Sequence, residues 1–115
     1  MKKQIKVTLK TNNEETVNSY LAIKTDNKII YQDNEYKVTL NMKDDIKLTR
    51  ENEEYLFEMI FKQNVKTKGR CYLKQERSQM DIDILTDYVI IEDNCFIIKY
   101  KVLTTEQDVL YKLEV

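Results

Sequence analysis

The chain has no histidine, no proline and no tryptophan, and among its 115 residues there is one glycine, Gly69. Without histidine, an imidazole general base, Ser-His-Asp and Cys-His nucleophile pairs and histidine metal ligation are all unavailable within this chain. A single glycine cannot build the loops whose successive backbone amides cradle a phosphate, so the Walker and dinucleotide fingerprints are excluded too. Two cysteines, Cys71 and Cys95, stand too far apart in sequence for a Cys-x-x-Cys pair and are too few for a four-ligand zinc site. They read as buried, reduced thiols, and no cofactor or metal is expected. Behind Met1-Lys2-Lys3 there is no apolar stretch, so the sequence predicts neither a signal peptide nor an anchor, and hence a cytoplasmic protein. Lysine, asparagine and isoleucine are plentiful while glycine, proline and alanine (only Ala22) are scarce, the bias of an AT-rich coding sequence.

What the chain does contain is alternation. It is 34% charged and 42% hydrophobic, too apolar for a disordered chain and too charged for a helical membrane protein. Residues 1–115 are read as one domain, long enough to bury roughly two-thirds of its unfolded surface. Ile5, Val7 and Leu9 alternate with polar neighbours, and Val17, Ser19, Leu21 and Ile23 form the apolar side of a second strand. Asp26-Asn27, Asp33-Asn34 and Asp93-Asn94 read as turns, since Asp and Asn tolerate positive φ and bond their own backbone. Between and beyond them run Lys28 to Gln32, Tyr36/Val38/Leu40 and Ile46/Leu48/Arg50. Tyr55/Phe57/Met59/Phe61, with Leu56 and Ile60 on its other side, is expected to be covered on both faces and to form the centre of the core. Arg70 to Gln75, Met80/Ile82/Ile84, Tyr88 to Ile91, Phe96/Ile98/Tyr100/Val102 and Val109/Tyr111/Leu113 complete the set. No window shows apolar residues at helical spacing with caps. About nine or ten short strands with frequent turns predict an all-β antiparallel sandwich or barrel, and closure would remove exposed edges that no proline protects.

Several of these stretches, in their order along nearly the whole chain, resemble the uncharacterised YwiB-like proteins of Firmicutes and their relatives. The resemblance is carried by Ile29-Ile30-Tyr31-Gln32-Asp33, Ile46-Lys47-Leu48-Thr49-Arg50, Met59-Ile60-Phe61, Ile82-Asp83-Ile84-Leu85-Thr86 and Ile98-Lys99-Tyr100-Lys101-Val102. It implies a single calycin (lipocalin-like) β-barrel of about 8–10 strands and brings no assigned activity. The chain departs from that family where Gln75-Glu76-Arg77-Ser78 replaces a Thr-Pro-aromatic-Gly turn, and where Glu51-Asn52 replaces the glycine after Leu-x-Arg. The lipocalin Gly-x-Trp signature is absent, so fatty-acid or retinoid carriage does not carry over.

Arg50 shares strand parity with Ile46 and Leu48, which points its guanidinium inward near one end of the barrel. An inward arginine requires an anionic partner, because an unpaired buried charge costs several kcal/mol. That partner is either a ligand carboxylate or phosphate, held by Arg50 with Tyr31 nearby, or a structural ion pair with Asp33 or Glu58. Tyr31, Tyr36, Tyr55, Phe57, Phe61, Tyr72, Phe96, Tyr100 and Tyr111 sit at alternating positions that either fill the interior or line a cavity. A second candidate is the basic stretch Lys62, Lys66, Lys68, Arg70, Lys74 and Arg77 with Tyr72 among them, which suits single-stranded RNA through phosphate contacts and base stacking. The acids that follow, Asp81, Asp83, Asp87, Glu92 and Asp93, are positioned to neutralise it. Asp81-x-Asp83 itself falls on the solvent face and marks no metal site. The sequence therefore points to a non-enzymatic barrel that binds a small, anionic molecule near Arg50. RNA or ribosome association, and a module pairing through an edge strand as a homodimer, are the alternatives.

Overall fold

Alternation of apolar and polar residues becomes, in the computed structural model of residues 1–115, ten antiparallel strands and no helix. They are β1 (Lys2–Lys10), β2 (Glu15–Lys24), β3 (Lys28–Asp33), β4 (Tyr36–Asn41), β5 (Ile46–Glu51), β6 (Tyr55–Phe61), β7 (Lys66–Leu73), β8 (Ser78–Glu92), β9 (Cys95–Val102) and β10 (Gln107–Glu114). Each pairs with its sequence neighbours, and β1 closes on β10 from Lys6↔Glu114 to Lys10↔Leu110, making one closed barrel. The interior is filled along most of its length by Ile5, Leu40, Phe61, Ile84, Ile98 and Leu113, each no more than 1% exposed. No helix is long and apolar enough to cross a membrane.

Three features differ from the sequence reading. The second strand faces the other way: Ala22 is buried and Tyr20 packs on the core, while Val17, Leu21 and Ile23 are about half exposed on the outside. The hairpin loop decides this. Lys10 pairs with Glu15, leaving the four-residue turn Thr11–Glu14, closed by the Thr11 amide donating to the Glu14 carbonyl. With Ile5, Val7 and Leu9 inward, that register puts Tyr20, Asn18 and Thr16 inward beside them. β6 is not the centre of the core. Only Phe61 is buried; Tyr55, Phe57 and Met59 run toward the rim, and Leu56 and Ile60 lie on a half-exposed outer face. Residues 80–84 and 88–91 belong to one fifteen-residue strand, β8, with a bulge between Thr86 and Tyr88. The extra residue, Asp87, shifts the inward parity from Ile82, Ile84 and Thr86 to Val89, opposite Ile98, and to Ile91, which faces Phe96 at the strand end and is half exposed there.

Turns fall at Asp26-Asn27 and Asp93-Asn94, while at the middle pair Asp33 ends β3 opposite Tyr36 and the turn is Asn34-Glu35; none of these residues is left-handed. Positive φ occurs at Asn64, Arg77 and Glu106. At Arg77 and Glu106 the Cβ crowds the carbonyl, a cost of roughly 1 kcal/mol each that glycine would remove. Here the scarcity of glycine has a direct structural expense.

Thr86 is fully buried, and its hydroxyl has no hydrogen-bond partner. A valine would keep the shape without the stranded polar group. Thr86→Val is therefore expected to raise stability by about 1 kcal/mol, read as a higher urea midpoint at unchanged slope. A loss of stability would show that the hydroxyl is satisfied in solution.

Candidate ligand site at the barrel mouth

β5 carries Arg50 to the end of the barrel where β3 and β4 turn. Arg50 pairs across the ladder with Val38 on β4 and Phe57 on β6, so its side chain extends over the interior, as its parity predicted. One terminal nitrogen of its guanidinium, Nη2, donates to Asp33 Oδ2 at 3.2 Å. The Tyr36 ring packs against the other side, its centroid 4.5 Å from the guanidinium carbon. Arg50 thus has the structural partner Asp33. Glu58, the other candidate, lies outside and bonds Lys47 at 3.1 Å and Arg70 at 3.0 Å.

The interior at this end is not filled. A cavity of about 350 Å³ lies beneath Arg50, with apolar walls that include Leu9, Val38, Leu48 and Val109 and polar groups from Tyr31, Tyr100, Tyr111 and Asn18. Tyr31 Oη and Tyr111 Oη are 2.7 Å apart, in a buried hydrogen bond between the two phenols. Tyr20 stacks on Tyr31 at 5.0 Å between centroids, and Tyr100 leans on Phe61 at 4.8 Å. Burial pushes the Tyr31 and Tyr100 phenols up to about 12 and Tyr111 well above its ordinary value; Tyr20 is raised as well, by burial and then by Asp33. All four are therefore neutral proton donors at physiological pH. Between Tyr31 and Tyr111 there are two hydroxyl protons and one mutual bond, so one proton remains to donate elsewhere.

These shifts fix the sign of the alkaline response. Each folded pKa lies above the ordinary value of 10.0, so the folded state favours the protonated phenol. The stability this contributes is complete below pH 10 and is lost as the pH rises toward about 12. Tyrosinate absorbance followed upward from pH 9 is expected to show three of the eight tyrosines, Tyr31, Tyr100 and Tyr111, ionising only together with loss of the fold. Eight independent, ordinary titrations in a chain that stays folded would contradict this burial.

The structure brings Arg50 and Tyr31 to one cavity, adds Tyr100 and Tyr111 from the interior aromatics, and stacks Tyr36 on Arg50 at its rim. Tyr72 lies on the outer face of β7 between Leu56 and Gln79, not inside. Tyr20, Asn18 and Thr16 line the mouth and were missed with the parity of β2; the four-residue Thr11–Glu14 turn was the available signal. The basic stretch lies along the outside and is interleaved with acids. Lys62 is 3.7 Å from Asp45, Lys66 3.7 Å from Asp83, Arg70 3.0 Å from Glu58 and Lys74 2.7 Å from Glu51, while Lys68 sits across from Asp83. Asp81 and Asp83 are outward, and no group of three or more carboxylate or thiol side chains converges as a metal site. Cys71 is buried, its thiol pushed up by desolvation, and Cys95 is half-buried at the opposite end; both are free.

Fold and site together define a class: a closed ten-stranded antiparallel barrel with a partly apolar, tyrosine- and arginine-lined cavity at one mouth. A solved structure of similar fold is the crystal structure of the ywiB protein from Bacillus subtilis, to which this chain is similar over 98% of its own length and 89% of that chain, with a TM-score of 0.62 at 10% identity. The likeness is one of fold. No protein-family model matches the sequence, and no curated protein sequence does.

Proposed function

We propose that this protein binds, rather than transforms, a small anionic molecule with an apolar body at the Arg50 mouth. One observation carries the reading: a cavity of about 350 Å³ adjoins a guanidinium that commits a single nitrogen to Asp33. That volume is at the lower end of small-molecule sites, and mostly apolar walls with a few convergent donors are what such sites contain. Arg50 has five N–H groups in a planar fork, so a carboxylate can be held while the Asp33 contact persists. The spare phenol proton of the Tyr31–Tyr111 pair supplies a neutral donor, favouring an oxyanion over a cation. The calycin relationship suggested by the sequence agrees with a cavity at one end of the barrel.

The RNA reading draws less support, because Lys62, Lys66, Arg70 and Lys74 each have an acid within 4 Å on the same surface. Calorimetric titration with 2-naphthoate and with its uncharged amide tests the anionic-ligand proposal. The carboxylate is expected to bind at least tenfold more tightly than the amide, and Arg50→Gln to remove that preference with little change in melting temperature. Equal binding of acid and amide, or an Arg50→Gln variant that binds as well as the parent, would sink the proposal.

A further inference from the structure

The barrel is closed, yet its seams are uneven. β3 pairs with β2 only at Ala22, Ile23 and Lys24, so Glu15–Leu21 has β1 on one side and no strand on the other. The same stretch lies in the longest uncharged run of the chain, Thr16–Ile23, in a sequence that is 34% charged. Its outer face is apolar and open: Val17 is 51%, Leu21 60% and Ile23 48% exposed. Open edges are ordinarily guarded by proline, a bulge or charge. β1 follows that rule where β10 leaves it unpaired, at Lys2–Ile5, through Lys2 and Lys3. Between Thr16 and Leu21, β2 carries none of these guards.

We propose that this edge of β2 pairs antiparallel with the same edge of a second copy of this chain, about a two-fold axis near Asn18. Such pairing joins two barrels through backbone hydrogen bonds and places Val17 of each copy across from Ser19 of the other. Charge favours a second copy over a foreign strand. Glu14 and Glu15 stand at one end of the segment and Lys24 at the other, with Asp26 and Lys28 offsetting each other in the turn beyond, so a two-fold axis brings the acidic end of each copy toward the basic end of its mate, at both ends at once. The inward residues Thr16, Asn18 and Tyr20 line the mouth cavity, so the dimer seam also borders that rim. The proposal stands independently of whether the cavity takes a ligand.

Sedimentation velocity across a concentration series is the test. The parent chain is expected to dimerise, and the double variant Val17→Lys/Leu21→Lys, whose substitutions lie on the exposed outer face, to weaken dimerisation at least tenfold while keeping the strand-rich circular dichroism of the parent. Amide exchange on the parent provides the arm that needs no variant: Thr16–Leu21 amides are expected to gain protection as concentration rises. A monomer at every concentration overturns the proposal. So does a dimer that the double lysine variant leaves intact, or one in which the Thr16–Leu21 amides gain no protection.

Discussion

Phe61→Ala is expected to destabilise the protein by about 3–5 kcal/mol. Phe61 is the deep end of β6, 1% exposed, with its ring against Tyr100 and its backbone paired to Ile46. Truncation leaves a void among close-packed neighbours that belong to different strands and cannot collapse together. At this chain length the melting temperature should fall by roughly 15 °C or more, measurable by calorimetry. Phe57, four residues earlier on the same strand face, is the control. It is only half-buried and packs edge-on against Tyr36 at the rim, so Phe57→Ala should cost less than half as much. Equal losses at the two positions would mean that the rim is packed as tightly as the interior.

Gly69→Val is expected to cost about 3 kcal/mol, for the opposite reason. β7 and β6 approach so closely at this point that even a Cβ on residue 69 would lie 2.8 Å from the Glu58 backbone carbonyl oxygen and 3.1 Å from Ile84 Cδ1. The carbonyl is fixed by the strand and cannot step aside as a flexible side chain would. Gly69→Ala should already be measurably destabilising and Gly69→Val more so, giving a graded series in the urea midpoint. A neutral valine substitution would show that the two strands separate freely here. The one glycine that this composition retains thus sits where two backbones meet, while the left-handed turns at Arg77 and Glu106 do without one.

How far the sequence disclosed the molecule depended on whether a strand's parity was fixed by its own residues. β5 reads Ile46, Leu48, Arg50 with polar residues between, so the inward course of Arg50 followed from alternation, whereas the choice of Asp33 over Glu58 as its partner depended on the fold. β2 offered a better apolar set on its outer face than on its inner one, and only the length of the preceding turn reveals which face the barrel uses. In β8, Asp87 looks like a turn residue, yet it is the extra residue of a bulge, a distinction that depends on β9 continuing alongside. Neutralisation of the basic stretch was legible only in part: Asp83, on the following hairpin strand, pairs with Lys66, whereas Asp45, Glu51 and Glu58, which pair with Lys62, Lys74 and Arg70, come from earlier in the chain. The cavity was not legible, since aromatic residues at alternating positions describe a filled barrel and a hollow one equally well. Which of the two forms depends on how side chains from several strands meet.

The strand order has a bearing on assembly. Each ladder except β1–β10 joins strands adjacent in the chain, so hairpins can form locally and quickly while one seam waits for the two ends to meet. The entropy of that closure grows only logarithmically with the intervening length. Until it happens, β1 and β10 are raw edges that could capture another nascent chain. β1 presents Lys2, Lys3, Lys6 and Lys10 there and no acid, while β10 presents Asp108 and Glu114 against the single Lys112, with Glu114 3.8 Å from Lys6 once the seam is shut. These charges discourage each edge from joining a copy of itself and draw the two together, so the lysines of β1 act during synthesis, before they have a place in the finished barrel.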